Sequence, residues 1–191
     1  PSVFSAPSPS GNEQTLFPLY AWPFQNALNN GLILVNYVDD DNVGGTIHDY
    51  NGNTWAYDGH TGTDIVLTSF RAMDRGFKVV AASPGTVSNS TNDQYDRNTD
   101  CSNPNPNYVE VDNGDGTYTN YLHLRKNSVV VKVGETVAAG QFLGLVGSSG
   151  CSSDPHLHFE PTSYPGGVYT PRDPWRGTYN TQATLWQSQL P

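Results

Sequence analysis

From residue 31 onward the chain has no long stretch with apolar residues at helical spacing, and this absence limits what it can fold into. Short β-branched and aromatic runs are instead separated by glycine, proline, asparagine and aspartate. Runs at 32–38, 64–68, 78–82, 85–88, 108–111, 118–124, 129–133 and 156–160 predict strands. Between Val111 and Thr117, the dipeptides Asn113-Gly114 and Asp115-Gly116 tolerate positive φ and predict a hairpin. The expected fold class is all-β, in a single domain.

A length of 191 residues suits one large domain or a domain with extensions. Nine Lys+Arg against 18 Asp+Glu give a formal net charge of −9. A chain this acidic lacks the basic footprint that phosphate backbones and anionic membranes require, so no nucleic acid partner is expected. With 36% hydrophobic and 12% aromatic residues it can bury a core. Its apolar runs fall far short of the roughly 20 residues of a membrane span, so no membrane insertion is expected. Charged residues make up 14%, with Asn, Ser, Thr, Gly and Tyr supplying the polarity, a balance common in exported proteins. The chain begins at Pro1 without Met and reads as mature or trimmed.

The cysteines are Cys101 and Cys151. Without a CxxC a cysteine-based zinc site is not indicated. A single disulfide is the favoured reading, and two buried free thiols are the alternative. A bond would close a loop of about 50 residues, stabilising by roughly 4 kcal/mol in the chain-entropy model. It would also imply an oxidising compartment.

Two segments carry a further pattern. Val79-Val80-Ala81-Ala82-Ser83-Pro84-Gly85-Thr86-Val87 is a strand, a turn and a strand, and residues 129–147 are short strands broken at Gly134, Gly140 and Gly144. This turn chemistry resembles the hammerhead segments of biotinyl and lipoyl carrier domains. The single methionine, Met73, has no lysine beside it, so the carrier function itself is not supported.

The chemistry is concentrated in histidines. His60-Thr61-Gly62-Thr63-Asp64 sets an imidazole and a carboxylate four residues apart, and His156-Leu157-His158 sets two imidazoles on one face of a strand. His123 falls in the expected strand 118–124, sharing a face with Thr119 and Tyr121. Catalytic zinc takes three protein ligands and leaves one position open. Two His and one Asp meet that count, and two further imidazoles remain for proton handling near neutral pH. His48, the fifth histidine, reads as structural.

These motifs, in this order, resemble the lysostaphin/LytM-type zinc metallo-endopeptidases. The matching residues are Gly59-His60-Thr61-Gly62-Thr63-Asp64, Val79 to Ala82 with Gly85-Thr86-Val87, and Tyr121-Leu122-His123-Leu124. They continue with Val133-Gly134-Glu135-Thr136-Val137-Ala138-Ala139-Gly140-Gln141, Gly144 to Gly147, and Pro155-His156-Leu157-His158-Phe159-Glu160. The resemblance covers about half of the chain. It implies an antiparallel sheet of the duplicated hybrid motif type, with one zinc per chain held by His60, Asp64 and His158. It makes His123 and His156 the catalytic pair. The substrate class it implies is peptide bonds of bacterial cell-wall peptidoglycan, or glycine-rich peptides, cut by a monomer that is secreted, extracellular or periplasmic. The division that follows is an N-terminal arm and lead-in at 1–30 (Pro/Ser-rich at 1–10), a metallopeptidase domain at 31–175 with its motif core at 58–160, and a C-terminal extension at 176–191.

Residues 89–107 form a long polar insertion containing Cys101, and a bond to Cys151 would tie it to the loop before His156. Glu160, two residues after His158, either orients that ligand or ends a strand at the surface. Tyr57 either donates to an oxyanion or packs. Asp39-Asp40-Asp41 reads as a solvated turn rather than a calcium site, and Asp112 to Asp115 lacks EF-hand spacing. Two other functions compete: a non-catalytic cell-wall-binding or regulatory relative, and phosphoryl transfer of the glucose-permease IIA kind. The latter needs neither the His-x-x-x-Asp motif nor a disulfide.

Overall fold

A computed structural model describes residues 19–25, 30–41 and 43–189; the Pro/Ser-rich stretch 1–10 lies outside the described residues. Its strands are β1 (Leu32–Asn36), β2 (Thr63–Leu67), β3 (Lys78–Val80), β4 (Gly85–Thr91), β5 (Tyr108–Asp112), β6 (Thr117–Leu122), β7 (Thr136–Val137), β8 (Phe142–Leu145), β9 (His156–Ser163) and β10 (Thr170–Pro171). One short helix, α1 (Phe70–Met73), is capped by the Ser69 side chain. The main sheet runs β1-β2-β9-β6-β5-β4-β7 with β10 beside β9, and β3 pairs with β8 in a second, two-stranded sheet. These described strands all pair antiparallel.

Period-two alternation gives the main sheet two different faces. In β5, Val109 and Val111 are buried while Tyr108, Glu110 and Asp112 are partly exposed. Through the registers Tyr121↔Val109 and Tyr121↔Phe159, the inward positions of β5, β6 and β9 line up as one apolar layer. Leu157 and Phe159 therefore face the core, and the intervening His156, His158 and Glu160 face the opposite side. Tyr121 is fully buried, yet its hydroxyl accepts from Ala82 N at 2.7 Å and donates to Thr119 Oγ1 at 3.2 Å.

Pro161 sits inside β9, in the middle of the sheet, where a missing N–H normally breaks a ladder. It is tolerated because β2 pairs only as far as Phe159 and β10 begins only at Thr162. The β5–β6 hairpin turns where the two Xaa-Gly pairs predict it, with Gly114 at φ 79° and Gly116 at φ 85°.

Three expectations need correction. Residues 129–133 form no strand: only Val131 is buried, and Val129 N and Val130 N go to Asn92 Oδ1 and Leu143 O in an irregular connection. The strand expected at 85–88 continues to Thr91, past a bulge between Val87 and Asn89. Its polar end pairs through the backbone, which apolar patterning does not register. The strand expected at 118–124 stops at Leu122, and His123 takes φ 62° just beyond it.

Candidate metal centre and active site

Strand pairing builds the centre of the site. Asp64 on β2 lies directly opposite His158 on β9, and Leu122 of β6 flanks His158 on the other side. His60 comes from the loop before β2. Between His60 and Asp64, a Cβ at Gly62 would fall 2.5 Å from His158 Nε2 and 2.8 Å from Phe159 O, so only glycine lets this turn close over the ring.

Three ligand-type atoms converge. His60 Nε2 is 3.1 Å from His158 Nδ1, His60 Nε2 is 3.2 Å from Asp64 Oδ1, and His158 Nδ1 is 3.0 Å from Asp64 Oδ1. Ligands on tetrahedral zinc, each at about 2.0–2.1 Å, stand about 3.4 Å from one another, so this triangle has the right size for one face of that tetrahedron. The outer atoms set the tautomers. His60 Nδ1 lies 2.6 Å from the Tyr37 carbonyl, which only accepts, so the proton is on Nδ1 and the Nε2 lone pair faces the triangle. His158 Nε2 donates to Glu160 Oε2 at 2.9 Å. Asn36 Nδ2 donates to Asp64 Oδ2 at 3.0 Å, turning Oδ1 inward.

Three acceptors in van der Waals contact require a positive charge among them, and the donor set therefore fits a divalent cation. The titration behaviour reflects the same demand. Burial opposes charging His158, yet hydrogen bonds and charge from Asp64 and Glu160 outweigh it and push the imidazole up to about 9. Burial would likewise raise Asp64, but His158 and His60 hold it well below the usual carboxylate range. A metal takes the place of such a proton, and binding releases it. Among the described residues, His60, Asp64 and His158 are the one His/Cys/Asp/Glu group with three converging ligand atoms.

His123 and His156 stand beside this triangle with ring centroids 4.4 Å apart, and His156 Nε2 is 3.8 Å from Asp64 Oδ1. Both are anchored from behind by one loop. His123 Nδ1 donates to Ser149 O at 2.6 Å, and His156 Nδ1 donates to Asp154 O at 2.7 Å. Each ring thus keeps its Nε2 lone pair free to act as a base. Burial, followed by the neighbouring imidazoles of His156 and His158, drives His123 down to about 3. Burial also lowers His156, against the opposing charge of Asp64. The positive φ of His123 is a sparsely populated conformation for a non-glycine residue, of a kind that occurs at functional sites.

Family comparison decides what kind of protein carries this arrangement. The sequence profile of Peptidase family M23 matches residues 58–169, more than half of the chain. The chain belongs to peptidase family M23. Peptidoglycan DD-endopeptidase ShyA of Vibrio cholerae is 37% identical over 101 residues, covering 53% of this chain and 20% of that protein. Glycyl-glycine endopeptidase ALE-1 of Staphylococcus capitis is 46% identical over 54 residues, covering 28% of this chain and 14% of that protein. The chain thus spans no more than 20% of the length of either relative. Among solved structures, the SpoIIQ–SpoIIIAH pore forming complex superposes with a TM-score of 0.56 at 24% identity, covering 81% of this chain and 88% of that chain. The lytM structure of Ruminococcus gnavus gives 0.52 at 20% identity, covering 81% and 57%. At these identities the structural likeness concerns the fold.

In this M23 chain every residue singled out as ligand or catalytic partner lies in one cluster, and two others acquire definite places. Glu160 is buried against His158 rather than ending a strand at the surface. Tyr57 stacks on His60 with ring centroids 4.3 Å apart, and burial, then Asp64 and Glu160, pushes its hydroxyl up to about 12. His48 lies elsewhere, 2.7 Å from Asp41 and stacked on Tyr179. Asp39 and Asp41 accept from nearby backbone N–H groups, including Gly59 N and Val43 N. The sequence did not point to Asn36, Thr61, Tyr169 or the carbonyls of Tyr37, Ser149 and Asp154. Most of these contacts span many residues, and half of them come from backbone atoms that no motif names.

Proposed function

We propose that this chain is a zinc-dependent endopeptidase hydrolysing peptide bonds of bacterial cell-wall peptidoglycan or of glycine-rich peptides outside the cytoplasm, as a monomer. The observation that carries this reading is the triangle of 3.0–3.2 Å separations between His60, Asp64 and His158, with two neutral imidazoles alongside. Membership of a peptidase family supports the reaction class. The relatives named as peptidoglycan and glycyl-glycine endopeptidases support the two substrate classes. Among the described residues no helix is long and apolar enough to cross a membrane.

His60, Asp64 and His158 would hold the zinc, which when bound supplies Lewis-acid polarisation of the scissile carbonyl and acidifies water. His123 and His156 supply the proton chemistry. One takes the proton of the attacking water at Nε2 and passes it to the departing amine. The other takes a proton from solvent at Nε2 as negative charge develops on the carbonyl oxygen, donates that N–H to the oxyanion, and returns the proton to solvent when the carbonyl re-forms. Their Nδ1 bonds to Ser149 O and Asp154 O keep both rings from turning away during the cycle.

The fold alone does not separate a peptidase from a binding module, since a similar fold occurs in a pore forming complex. The presence of all five polar positions favours the enzyme. His123→Ala should abolish clearing of a peptidoglycan suspension while elemental analysis still finds about one zinc per chain. Loss of zinc instead would place His123 among the ligands and overturn the assignment. Full zinc content in the unsubstituted protein without cleavage of wall or glycine-rich peptide would favour the binding module.

A further inference from the structure

His60 and His158 reach the metal triangle under different constraints. The outer nitrogen of His60 faces a carbonyl, which can only accept, so its tautomer is settled locally. His158 lies between two carboxylates: Asp64 Oδ1 is 3.0 Å from Nδ1, and Glu160 Oε2 is 2.9 Å from Nε2. A neutral imidazole has one N–H to give. If it goes to Asp64, Nδ1 has no lone pair for a metal. If it goes to Glu160, Nδ1 is a ligand. Whether His158 serves the centre therefore depends on Glu160 being held in place.

Two hydroxyls hold it. Thr61 Oγ1 donates to Glu160 Oε2 at 2.6 Å, and the Tyr169 hydroxyl donates to Glu160 Oε1. Pairing with Asn120 of β6 fixes the Glu160 backbone but not its side-chain torsions, and with His158 three donors engage the two carboxylate oxygens and remove that freedom. Tyr169 reaches Glu160 because the chain reverses after β9. The reversal passes through Gly166 at φ 61° and Gly167 at φ 81°, and β10 then returns to pair with Ser163 and Thr162. The Tyr169 ring is 46% exposed and packs beside Tyr164 at 6.0 Å, so its burial contributes little to the core. Its polar end is the part tied to the site.

We propose that Tyr169 is a positioning residue of the metal centre: its hydroxyl, together with that of Thr61, clamps Glu160 onto His158 and thereby keeps Nδ1 of His158 turned toward Asp64 and His60. The inference rests on the metal reading above. It assigns a role to the 164–169 reversal, whose exposed outer surface would then be linked to the metal site through one hydrogen bond.

The test is zinc affinity by chelator competition on the full chain, with thermal midpoints recorded alongside. Tyr169→Phe keeps the ring and its contact with Tyr164 but removes the donor; it should weaken zinc binding by about 10-fold, and Glu160→Gln by about 10–100-fold. Because Tyr169 acts through Glu160, the double variant should bind zinc within about twofold of Glu160→Gln alone. A packing role for Tyr169 would move the thermal midpoint and leave zinc affinity alone. Equal affinity in Tyr169→Phe and the unsubstituted protein, or effects that multiply fully in the double variant, would overturn the clamp while leaving the metal reading standing. An unsubstituted chain that binds no zinc would overturn both.

Discussion

Three imidazoles of this small region, His123, His156 and His158, are driven in opposite directions by their surroundings. His158, between two carboxylates, is pushed up to about 9, whereas His123, buried among other imidazoles, is driven down to about 3. The consequences for stability have opposite signs. Below the ordinary histidine pKa of about 6.5, the unfolded chain takes up protons that folded His123 and His156 refuse; the stability His123 contributes above that pH is lost as pH falls toward 3, and that of His156 is lost in the same direction. His158 contributes stability that is fully present below about 6.5 and lost as pH rises through about 9. Chelator-treated protein should therefore lose stability on both sides of neutrality. His123→Asn, a residue that accepts the positive φ at this position, should flatten the acid limb between about pH 6.5 and 4 by up to about 1.4 kcal/mol per pH unit. Urea midpoints measured across pH check this, and an unchanged acid limb would refute the account of His123.

At the scale of elements, the loop from Ser148 to Asp154 is what orients the two bases. It supplies the Ser149 and Asp154 carbonyls behind His123 and His156. It is in turn held by the insertion between β4 and β5. Asn98 N donates to Ser148 O at 2.9 Å, Asn98 Nδ2 donates to Gly150 O at 2.8 Å, and Asn107 N donates to Ser149 Oγ at 2.9 Å. The sulfurs of Cys101 and Cys151 lie at bonding distance across the same contact. His60, Asp64 and His158, the proposed metal ligands, take no hydrogen bond from this loop. Reducing the disulfide, or replacing Cys101 by Ser, should lower turnover by at least about tenfold, the sensitivity expected when a base is displaced. Zinc content should change little. A free-thiol assay on denatured, unreduced protein should find no thiol, and parallel loss of zinc and activity would place the loop in the metal site instead.

At the scale of the whole molecule, Tyr20 and Trp186, near the two ends of the described residues, are part of the core beneath the site. Tyr20 pairs with Trp186, and both are almost fully buried. Trp186 packs on Phe159 at 5.4 Å and on Trp175 at 5.3 Å, directly under the strand that carries His158. Trp186→Ala should cost about 3–5 kcal/mol in a denaturant melt, as truncations of large buried aromatics do. A loss below about 1 kcal/mol would mean that residues 176–191 are a dispensable extension rather than a support for β9.

The spacing of polar residues within short motifs was enough to single out the five side chains that converge here, His60, Asp64, His158, His123 and His156, because alternation on a strand and the HTGTD turn are local geometry. The all-β class followed from the same local periodicity, as did the β5–β6 hairpin from its Xaa-Gly pairs. Where the pattern was misread, the deciding forces were non-local. The apolar run 129–133 has no partner strand to ladder with, while the polar end of β4 has one in β5. His123 leaves its strand through a positive φ that nothing in its own segment requires. Only the tertiary structure decided most of the proton positions, because Tyr37, Ser149, Asn36 and Tyr169 meet the histidines and carboxylates through contacts brought together by chain closure. A tautomer depends on the atom opposite the ring, and for His60 and His123 that atom is a backbone carbonyl of another segment.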